Sequence, residues 1–320
     1  MALNYDALTA LTRKKWIPEA IDTYFDSHPF LVFMKQSKQY QAWGDGYKII
    51  EPLKYGELAY VQSYAGYDPI TYDINMPVTA AEFDMKNLVA PVIIDEDTER
   101  KNSTGQVLPI VKEKVELAMD TLQKIFAAQL FTDGTGNSSK DITGLGLAIS
   151  DAGIYGGINR ADPQNWWKAV VNANGAVPRA LTLALLLKVW NQVSDPGHKD
   201  QPDLHIVDDK VWLVFHELLG TKVQLTSEMS KKLAGYGFQV LEFMGKPVVA
   251  DGDVPAGYWY MLNTKYMKLR YHPKAHFTTR PWRPDDTRIA KKMEILWTGN
   301  LTVSNCRRLA VIKDIDVSAW

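Results

Sequence analysis

The chain has 320 residues, of which 46% are hydrophobic and 23% charged, so it is long and apolar enough for one large or two medium domains. Its 36 basic and 37 acidic residues nearly cancel, which excludes a global field that would attract nucleic acid or an anionic membrane. The single cysteine, Cys306, excludes an intramolecular disulfide and a Cys-rich zinc site, and no apolar run approaches the ~20 residues that cross a bilayer. We therefore expect a folded protein made in a reducing compartment, without a membrane span, in which any DNA contact is local.

The first forty residues combine short helical patterns with breaks at Trp16-Ile17-Pro18 and His28-Pro29. This alternation predicts an extended arm without a core of its own. The arm carries a short basic run, Arg13-Lys14-Lys15, which is too small to form a nucleic-acid-binding face by itself. A solvated surface is the favoured interpretation of this run, and a local contact with DNA or within the arm is the alternative.

Strand patterns dominate from residue 43 to residue 94. Residues 47–53 and 57–61, on either side of a break at Tyr55-Gly56, predict the two strands of a long hairpin. Tyrosines interleave with polar residues here, as in a two-faced ribbon that contacts other chains. An isolated two-stranded ribbon is marginal in water, so we expect subunit contacts in this segment. The residues expected to make them are Trp43, Tyr47, Lys48, Lys54, Tyr55, Tyr60, Tyr64, Tyr67 and Tyr72.

The clearest helical pattern runs over residues 109–130, about 33 Å at 1.5 Å per residue. Asp120 and Lys124 have the spacing of an ion pair on its polar face, and Asp133-Gly134 predicts its end. A loop rich in glycine, serine and asparagine follows over residues 134–157. The predicted apolar face consists of Val111, Val115, Ala118, Leu122 and Ile125.

From residue 176 the pattern becomes mixed α/β. A helix over residues 183–190 precedes a buried strand at residues 204–207, and Asp208 or Asp209 caps the next helix. Further strands are predicted at residues 238–243, 247–250, 258–262, 267–271, 291–297, 300–303 and 309–312. A turn at Thr298-Gly299 is expected to separate two of these strands.

Glycine-rich and acidic segments give no signature of a phosphate or cation site. Gly144-Leu145-Gly146 begins like a dinucleotide fingerprint but lacks the third glycine, and no Gly-Lys-Ser/Thr sequence occurs. Asp95-Glu96-Asp97 is not followed by EF-hand spacing. A loop and a solvated acidic turn are therefore the favoured interpretations of these two segments.

The histidine and cysteine patterns give no catalytic signature either. His272 and His276 have zinc-like spacing, but Pro273 lies between them and a general-base glutamate does not, so surface histidines are favoured. Cys306 has no accompanying nucleophile motif and is expected to be a packing residue. The sequence thus predicts no catalytic residue, no cofactor and no metal.

Taken in order, these segments resemble the major capsid protein of tailed bacteriophages with the HK97 fold. In that family an arm, a long hairpin called the E-loop, a spine helix, an axial domain and a returning peripheral sheet follow one another. Local similarity is also present at Gly156-Gly157-Ile158-Asn159-Arg160 before Trp166-Trp167, and at residues 296–301 leading to residues 309–312. The resemblance assigns residues 1–40 to the arm, 41–89 to the E-loop, 90–175 to the peripheral domain with the spine helix, 176–272 to the axial domain, and 273–320 to the return to the peripheral domain.

The resemblance implies an α+β protein that is not an enzyme and that builds an icosahedral shell from pentamers and hexamers of itself. The implied partners are packaged double-stranded DNA, held by local contacts, and a portal protein. The virion would assemble in the host bacterial cytoplasm, and because Met1 lies close to the arm, a separate scaffolding protein is also expected. An encapsulin-like compartment shell of the same fold is the alternative, followed by an α/β enzyme without a recognised motif.

Some members of this family crosslink an E-loop lysine to an asparagine of a neighbouring subunit. Lys48 and Lys54 lie in the predicted hairpin, but the sequence identifies no acceptor for either. The crosslinking chemistry is therefore not assigned to this chain.

Overall fold

The structure is a computed structural model, and it describes residues 28–44, 46–56, 61, 63–70, 77–97, 107–161, 163–195, 200–220 and 228–319. The predicted arm is thus described only from His28 onward. Five residues named above as candidate contacts lie outside the described residues: Arg13, Lys14, Lys15, Tyr60 and Tyr72.

The described chain contains long and short helices together with strands of two to fourteen residues. The longer helices are α1 (Pro29–Gln36), α2 (Val107–Phe131), α3 (Leu183–Val193), α4 (Asp209–Leu219) and α5 (Glu228–Gly235). The strands are β1 (Tyr40–Ala42), β2 (Lys48–Lys54), β3 (Val78–Asp84), β4 (Lys86–Asp95), β5 (Ile154–Tyr155), β6 (Ile158–Asn159), β7 (Val170–Asn172), β8 (Leu204–Val207), β9 (Val240–Phe243), β10 (Lys246–Ala250), β11 (Trp259–Leu262), β12 (Met267–Tyr271), β13 (Thr278–Thr279), β14 (Arg283–Pro284), β15 (Ala290–Val303) and β16 (Ala310–Ile312). No helix among the described residues has both the length and the apolar character needed to cross a membrane.

The first six-stranded sheet is organised around β15, which pairs antiparallel with β4, β12, β13 and β14, while β1 adds to β12 in parallel. The predicted turn at Thr298-Gly299 is wrong, because β15 runs through both residues without interruption. A Cβ atom at Gly299 would collide with the carbonyl oxygen of Arg270 and with the Trp297 ring. The glycine therefore serves the close approach of two strands rather than a turn.

The second six-stranded sheet has the order β7-β16-β11-β8-β10-β9. It contains the strands expected after α3 and α4, and all four residues of β8 are buried as predicted. β16 belongs to this sheet and β12 to the first, whereas the resemblance assigned residues 309–312 to the return to the peripheral domain and residues 267–271 to the axial domain. The cause is a crossing at Cys306–Arg308, after which the fully buried β16 pairs with β11 and β7.

The predicted spine helix is confirmed as α2, which has 25 residues. Its buried face is rotated from the predicted one, because Ile125 is 45% exposed whereas Phe126 is fully buried. Successive helical residues are 100° apart, so the stripe through Val111, Val115 and Phe126 turns Ile125 towards its edge. The Phe126 ring meets the Trp297 ring edge-on at 4.7 Å, which fixes α2 against the first sheet.

The predicted helices after residue 176 are confirmed as α3 and α4. The Thr182 hydroxyl caps α3 by accepting a hydrogen bond from the Leu185 N–H (3.2 Å). Asp208 occupies the N-cap position of α4, but its carboxylate accepts instead from the Gly257 N–H (3.1 Å). Asp208 therefore joins the start of α4 to the loop before β11.

Candidate assembly surface

The hairpin that follows β1 consists of β2 and β3, paired antiparallel from Lys48↔Asp84 to Lys54↔Val78. The second strand predicted at residues 57–61 lies, except for Val61, outside the described residues, and the described partner of β2 is β3. In β3 buried and exposed positions alternate, but the small Ala81 at one of the buried positions makes this alternation hard to see in the sequence. We call β2 with β3 the hairpin base, and the described residues 61 and 63–70 of the connection between them the hairpin tip.

One face of the hairpin base is buried against its own chain. Glu51 in β2 is only 3% exposed, and its carboxylate accepts from Lys268 Nζ (3.1 Å) and Arg270 Nη2 (3.0 Å) on β12. A buried carboxylate requires such partners, because an unpaired charge away from water is costly. This ion-pair cluster fastens the hairpin base to the first sheet. The other inward side chains of the base are Ile49, Leu53, Ala81 and Phe83.

The turn between β5 and β6 supports the hairpin base from a second side. The Glu82 N–H donates to the Gly156 carbonyl oxygen (3.0 Å), and the Phe83 and Tyr155 rings meet edge-on at 4.9 Å. Gly156 has φ +59°, and a Cβ there would lie 2.8 Å from the Cβ of Ala81. Only glycine permits both this backbone conformation and this close approach. The local Gly156-Gly157 similarity noted in the sequence thus has a packing reason.

The fully buried Arg160 follows the turn between β5 and β6 and anchors it to the interior. Its guanidinium donates to the backbone carbonyl oxygens of Leu147 (2.9 Å) and Ala148 (2.8 Å), and Nη2 lies 3.7 Å from Cys306 Sγ. Burial raises the pKa of the Cys306 thiol to about 12, so the thiol stays protonated and unreactive at neutral pH. The predicted packing position of Cys306 is confirmed.

Two of the predicted contact residues touch their own chain. Trp43 is half-buried, with the Arg270 guanidinium 5.1 Å from its ring centroid. Tyr55 stacks on Trp166 with ring centroids 5.2 Å apart, although nearly half of the tyrosine is exposed. Both contacts lie at the ends of the hairpin base and strengthen its attachment.

The other described contact candidates face solvent. Tyr47 and Tyr67 are fully exposed and Tyr64 largely so, so the described residues cover little of these three aromatic rings. Lys48 is exposed and paired with Glu82 (2.9 Å), and Lys54 is exposed. The exposed aromatic rings therefore concentrate at the hairpin tip and just before its base.

A second uncovered apolar surface lies between β4 and α2. The outward side chains of β4 are Val89, Pro91 and Ile93, and with Leu117 and Ile125 of α2 they line an open groove of about 430 Å³. All five are exposed. The sequence analysis missed this groove, although the continuous apolar run of β4 is typical of a strand covered on both faces. We call it the β4–α2 groove.

The two histidines considered as a metal pair have separate environments. His276 is half-buried: its ring packs against Tyr271 at 4.4 Å, and Nε2 lies 2.6 Å from the Tyr40 hydroxyl. Burial lowers the pKa of His276 to about 4. His272 instead accepts a hydrogen bond from the Lys274 N–H (3.1 Å), so the pair does not converge on one site.

Comparison with known proteins finds similarity in structure alone. No protein-family model matches the chain, and no curated protein matches it. A chain of the cyanophage A-1(L) capsid superposes with a TM-score of 0.69 and 19% identity, over 87% of this chain and 90% of that one. The capsid of the native GTA particle gives 0.61 at 11% identity, over 88% and 90% of the two chains.

An encapsulin also shares the architecture. The SrpI encapsulin of Synechococcus elongatus PCC 7942 superposes with a TM-score of 0.53 and 13% identity, over 88% of this chain and 86% of that one. Likeness over nearly nine tenths of the chain establishes the fold. The predicted α+β class and HK97-type architecture are confirmed.

Proposed function

From this fold, we propose that the chain is the structural subunit of an icosahedral phage capsid. The observation that carries the proposal is the superposition on a phage capsid chain over nine tenths of that chain's length. The two uncovered apolar surfaces support it, because large exposed apolar patches usually mark interaction sites. The role is one of assembly and not of catalysis.

We propose that the hairpin tip of one subunit occupies the β4–α2 groove of its neighbour. The tip offers the exposed rings of Tyr64 and Tyr67, and the groove offers the apolar side chains of Val89, Leu117 and Ile125. The hairpin base is fastened to its own sheet, so the tip is presented to a neighbour without loosening the fold. Burying half of one aromatic side chain contributes roughly 2–3 kcal/mol to such a contact.

The remaining partners follow from the same proposal. Pentamers and hexamers of the chain enclose double-stranded DNA in the virion, together with a portal protein and, during assembly in the host cytoplasm, a scaffolding protein. A net charge of -1 suits local DNA contacts rather than a strongly basic inner surface. Trp43, Tyr47, Lys48, Lys54 and Tyr55 are assigned to the margin of the subunit contact.

An encapsulin-like compartment shell is the second candidate, and the similarity to SrpI supports it. We prefer the phage capsid function because the chain superposes better on the cyanophage capsid chain (TM-score 0.69) than on the encapsulin (0.53). Particles purified from the native source separate the two. Packaged double-stranded DNA supports the capsid, whereas a protein cargo without DNA supports the compartment.

Cysteine crosslinking tests the proposed contact directly. The only native cysteine is buried, so a Tyr67→Cys chain and a Leu117→Cys chain each carry one accessible thiol. Mixed and assembled under mild oxidation, they should give a disulfide-linked dimer of the two different chains. Tyr67→Cys mixed with Lys210→Cys, at an exposed position of α4, is the matched control. Particles that form without the Tyr67–Leu117 crosslink would disprove the contact while preserving the shell function.

Particle formation tests the function itself. Leu117→Asp should abolish particles seen by electron microscopy, because it places a charge in the β4–α2 groove, whereas Leu117→Met should retain them. Leu117 is exposed within the chain, so both variants should keep the unfolding midpoint of the wild type. A wild-type chain that stays monomeric under all conditions, including with its scaffolding protein, would contradict the proposed function.

A further inference from the structure

Two parallel strands of the second sheet bring acidic residues to one edge. β8 and β10 are paired with Val207 opposite Ala250, and the residues that follow them are Asp208 and Asp251. The Asp251 N–H donates to the Val207 carbonyl oxygen (2.9 Å), which prolongs the pairing by one residue. Because both strands end at the same edge, the acidic residues that follow them lie side by side.

A histidine from a distant part of the chain reaches the same edge. His28 immediately precedes α1, in which residues 29–34 are buried and the Phe30 ring lies 5.9 Å from that of Phe131. His28 Nδ1 lies 3.6 Å from Asp253 Oδ2. One ligand atom from each of His28, Asp251 and Asp253 lies within 4.8 Å of the other two.

Asp251 supplies an independent sign that a ligand is required. The residue is 5% exposed, and its Oδ1 accepts from the Asp253 N–H (3.1 Å). Oδ2 is buried and has no hydrogen-bond partner within the described residues. Nor does any described lysine or arginine form an ion pair with Asp251 or Asp253. A buried carboxylate oxygen in this condition is costly unless a cation compensates it.

We propose that His28, Asp251 and Asp253 bind one divalent transition-metal cation. Imidazole nitrogen suits zinc, copper, iron and nickel, while carboxylate oxygen suits manganese, calcium and magnesium and also binds zinc, so the mixed set favours Zn²⁺ or Mn²⁺ over Ca²⁺ and Mg²⁺. Two carboxylates also neutralise the charge of such an ion. The cation joins the chain just before α1 to the loop after β10, two segments that share no strand pairing. The sequence analysis expected no metal because these residues form no local motif.

Manganese binding to the metal-stripped full chain tests the site. Calorimetry should give one Mn²⁺ per chain, and pulsed electron paramagnetic resonance should detect a nitrogen nucleus coupled to the ion. His28→Ala should remove the nitrogen coupling, and Asp251→Asn should weaken Mn²⁺ binding by about 100-fold, because a charged ligand is lost. Zn²⁺ should displace the bound Mn²⁺.

Two controls separate metal binding from effects on folding. His272→Ala, which changes a histidine outside the cluster, should bind Mn²⁺ as the wild type does. Without metal, Asp251→Asn should melt no lower than the wild type, because the substitution removes an uncompensated buried charge while keeping the shape. Absence of nitrogen coupling, equal affinity in Asp251→Asn, or binding of Ca²⁺ but of neither Mn²⁺ nor Zn²⁺ would each overturn the proposal.

Discussion

The base and the tip of the hairpin belong to one continuous segment, yet their surroundings differ in kind. The base carries a buried ion-pair cluster at Glu51 and a close backbone approach at Gly156, both within the chain. The tip carries the exposed rings of Tyr64 and Tyr67. A hairpin of this kind separates two tasks, because intramolecular contacts hold the base while the tip remains available for another molecule. Substitutions in the two regions should therefore affect different measurements.

The largest expected effect contrasts Phe83 in the base with Tyr67 in the tip. Phe83→Ala should lower the free energy of unfolding by about 3–5 kcal/mol, since it empties a buried aromatic site. Tyr67→Ser should change it by less than about 0.5 kcal/mol, because the ring is exposed. Urea midpoints of the unassembled chains measure both. A similar loss in the two variants would mean that base and tip form a single packing unit.

The ion-pair cluster gives the next effect. Glu51→Gln keeps the shape of the side chain but leaves Lys268 and Arg270 without their anion, and it should cost about 2–3 kcal/mol. The estimate lies below that for a fully buried pair because Lys268 keeps some contact with water. Chemical denaturation gives the value, and raised salt should reduce the difference only slightly. Full wild-type stability in Glu51→Gln would show that the base is held by apolar packing alone.

Two adjacent glycines, Gly156 and Gly157, allow the close approach of the hairpin base to the turn between β5 and β6 to be tested separately. Gly156→Ala should cost about 2–3 kcal/mol, because it combines an unfavourable backbone conformation with a collision against Ala81. Gly157→Ala is the matched control, since its φ is also positive (+77°) but nothing lies within 4 Å of the added Cβ. It should cost only about 1 kcal/mol. Equal losses of unfolding free energy in the two variants would mean that a collision with Ala81 does not contribute.

The smallest expected effect is the pH dependence of stability that His276 causes in the first sheet, to which the hairpin base is attached. His276 has an ordinary pKa of 6.5 when unfolded and about 4 when folded, so the unfolded chain binds the proton more tightly. Its contribution to stability is complete above pH 6.5 and is lost as the pH falls through 4. The loss should be on the order of 1–2 kcal/mol, because the ring keeps partial access to solvent.

The difference between wild type and His276→Gln isolates this contribution from that of other titrating groups. Melting temperatures of the two proteins, measured from pH 7.5 to pH 4, should converge as the pH falls. Parallel curves would mean that His276 is as accessible in the folded chain as in the unfolded chain.

The sequence was most informative where structure depends on near neighbours. The periodicity that predicts α2 lies within 25 residues, and the caps and strands around Thr182 and β8 are equally local. The pairing of β3 with β2 depends on contacts with β12 and Gly156, which no local pattern contains. The same holds for Gly299, where glycine in a strand was taken for a turn.

The two proposed sites were hidden for related reasons. To predict the β4–α2 groove, one must know that β4, which is apolar on both faces, stays uncovered on one of them. To predict the metal site, one must know that β8 and β10 pair in parallel. The sequence nevertheless contained a signal for it. Asp208-Asp209 and Asp251-Gly252-Asp253 each follow a predicted buried strand, and strands in parallel would place both acidic segments at one edge.

The position of β15 and β16 in the chain has a consequence for biosynthesis. β4 and β7, made early, obtain their partners only when β15 and β16 emerge from the ribosome. Pairings over such long sequence separations are slow to form, because the chain must close a large loop before the contacts stabilise it. Neither sheet is complete until residues 290–312 are available, so a nascent chain cannot present a finished docking surface. If the chain functions as proposed, synthesis itself delays assembly until each subunit is whole.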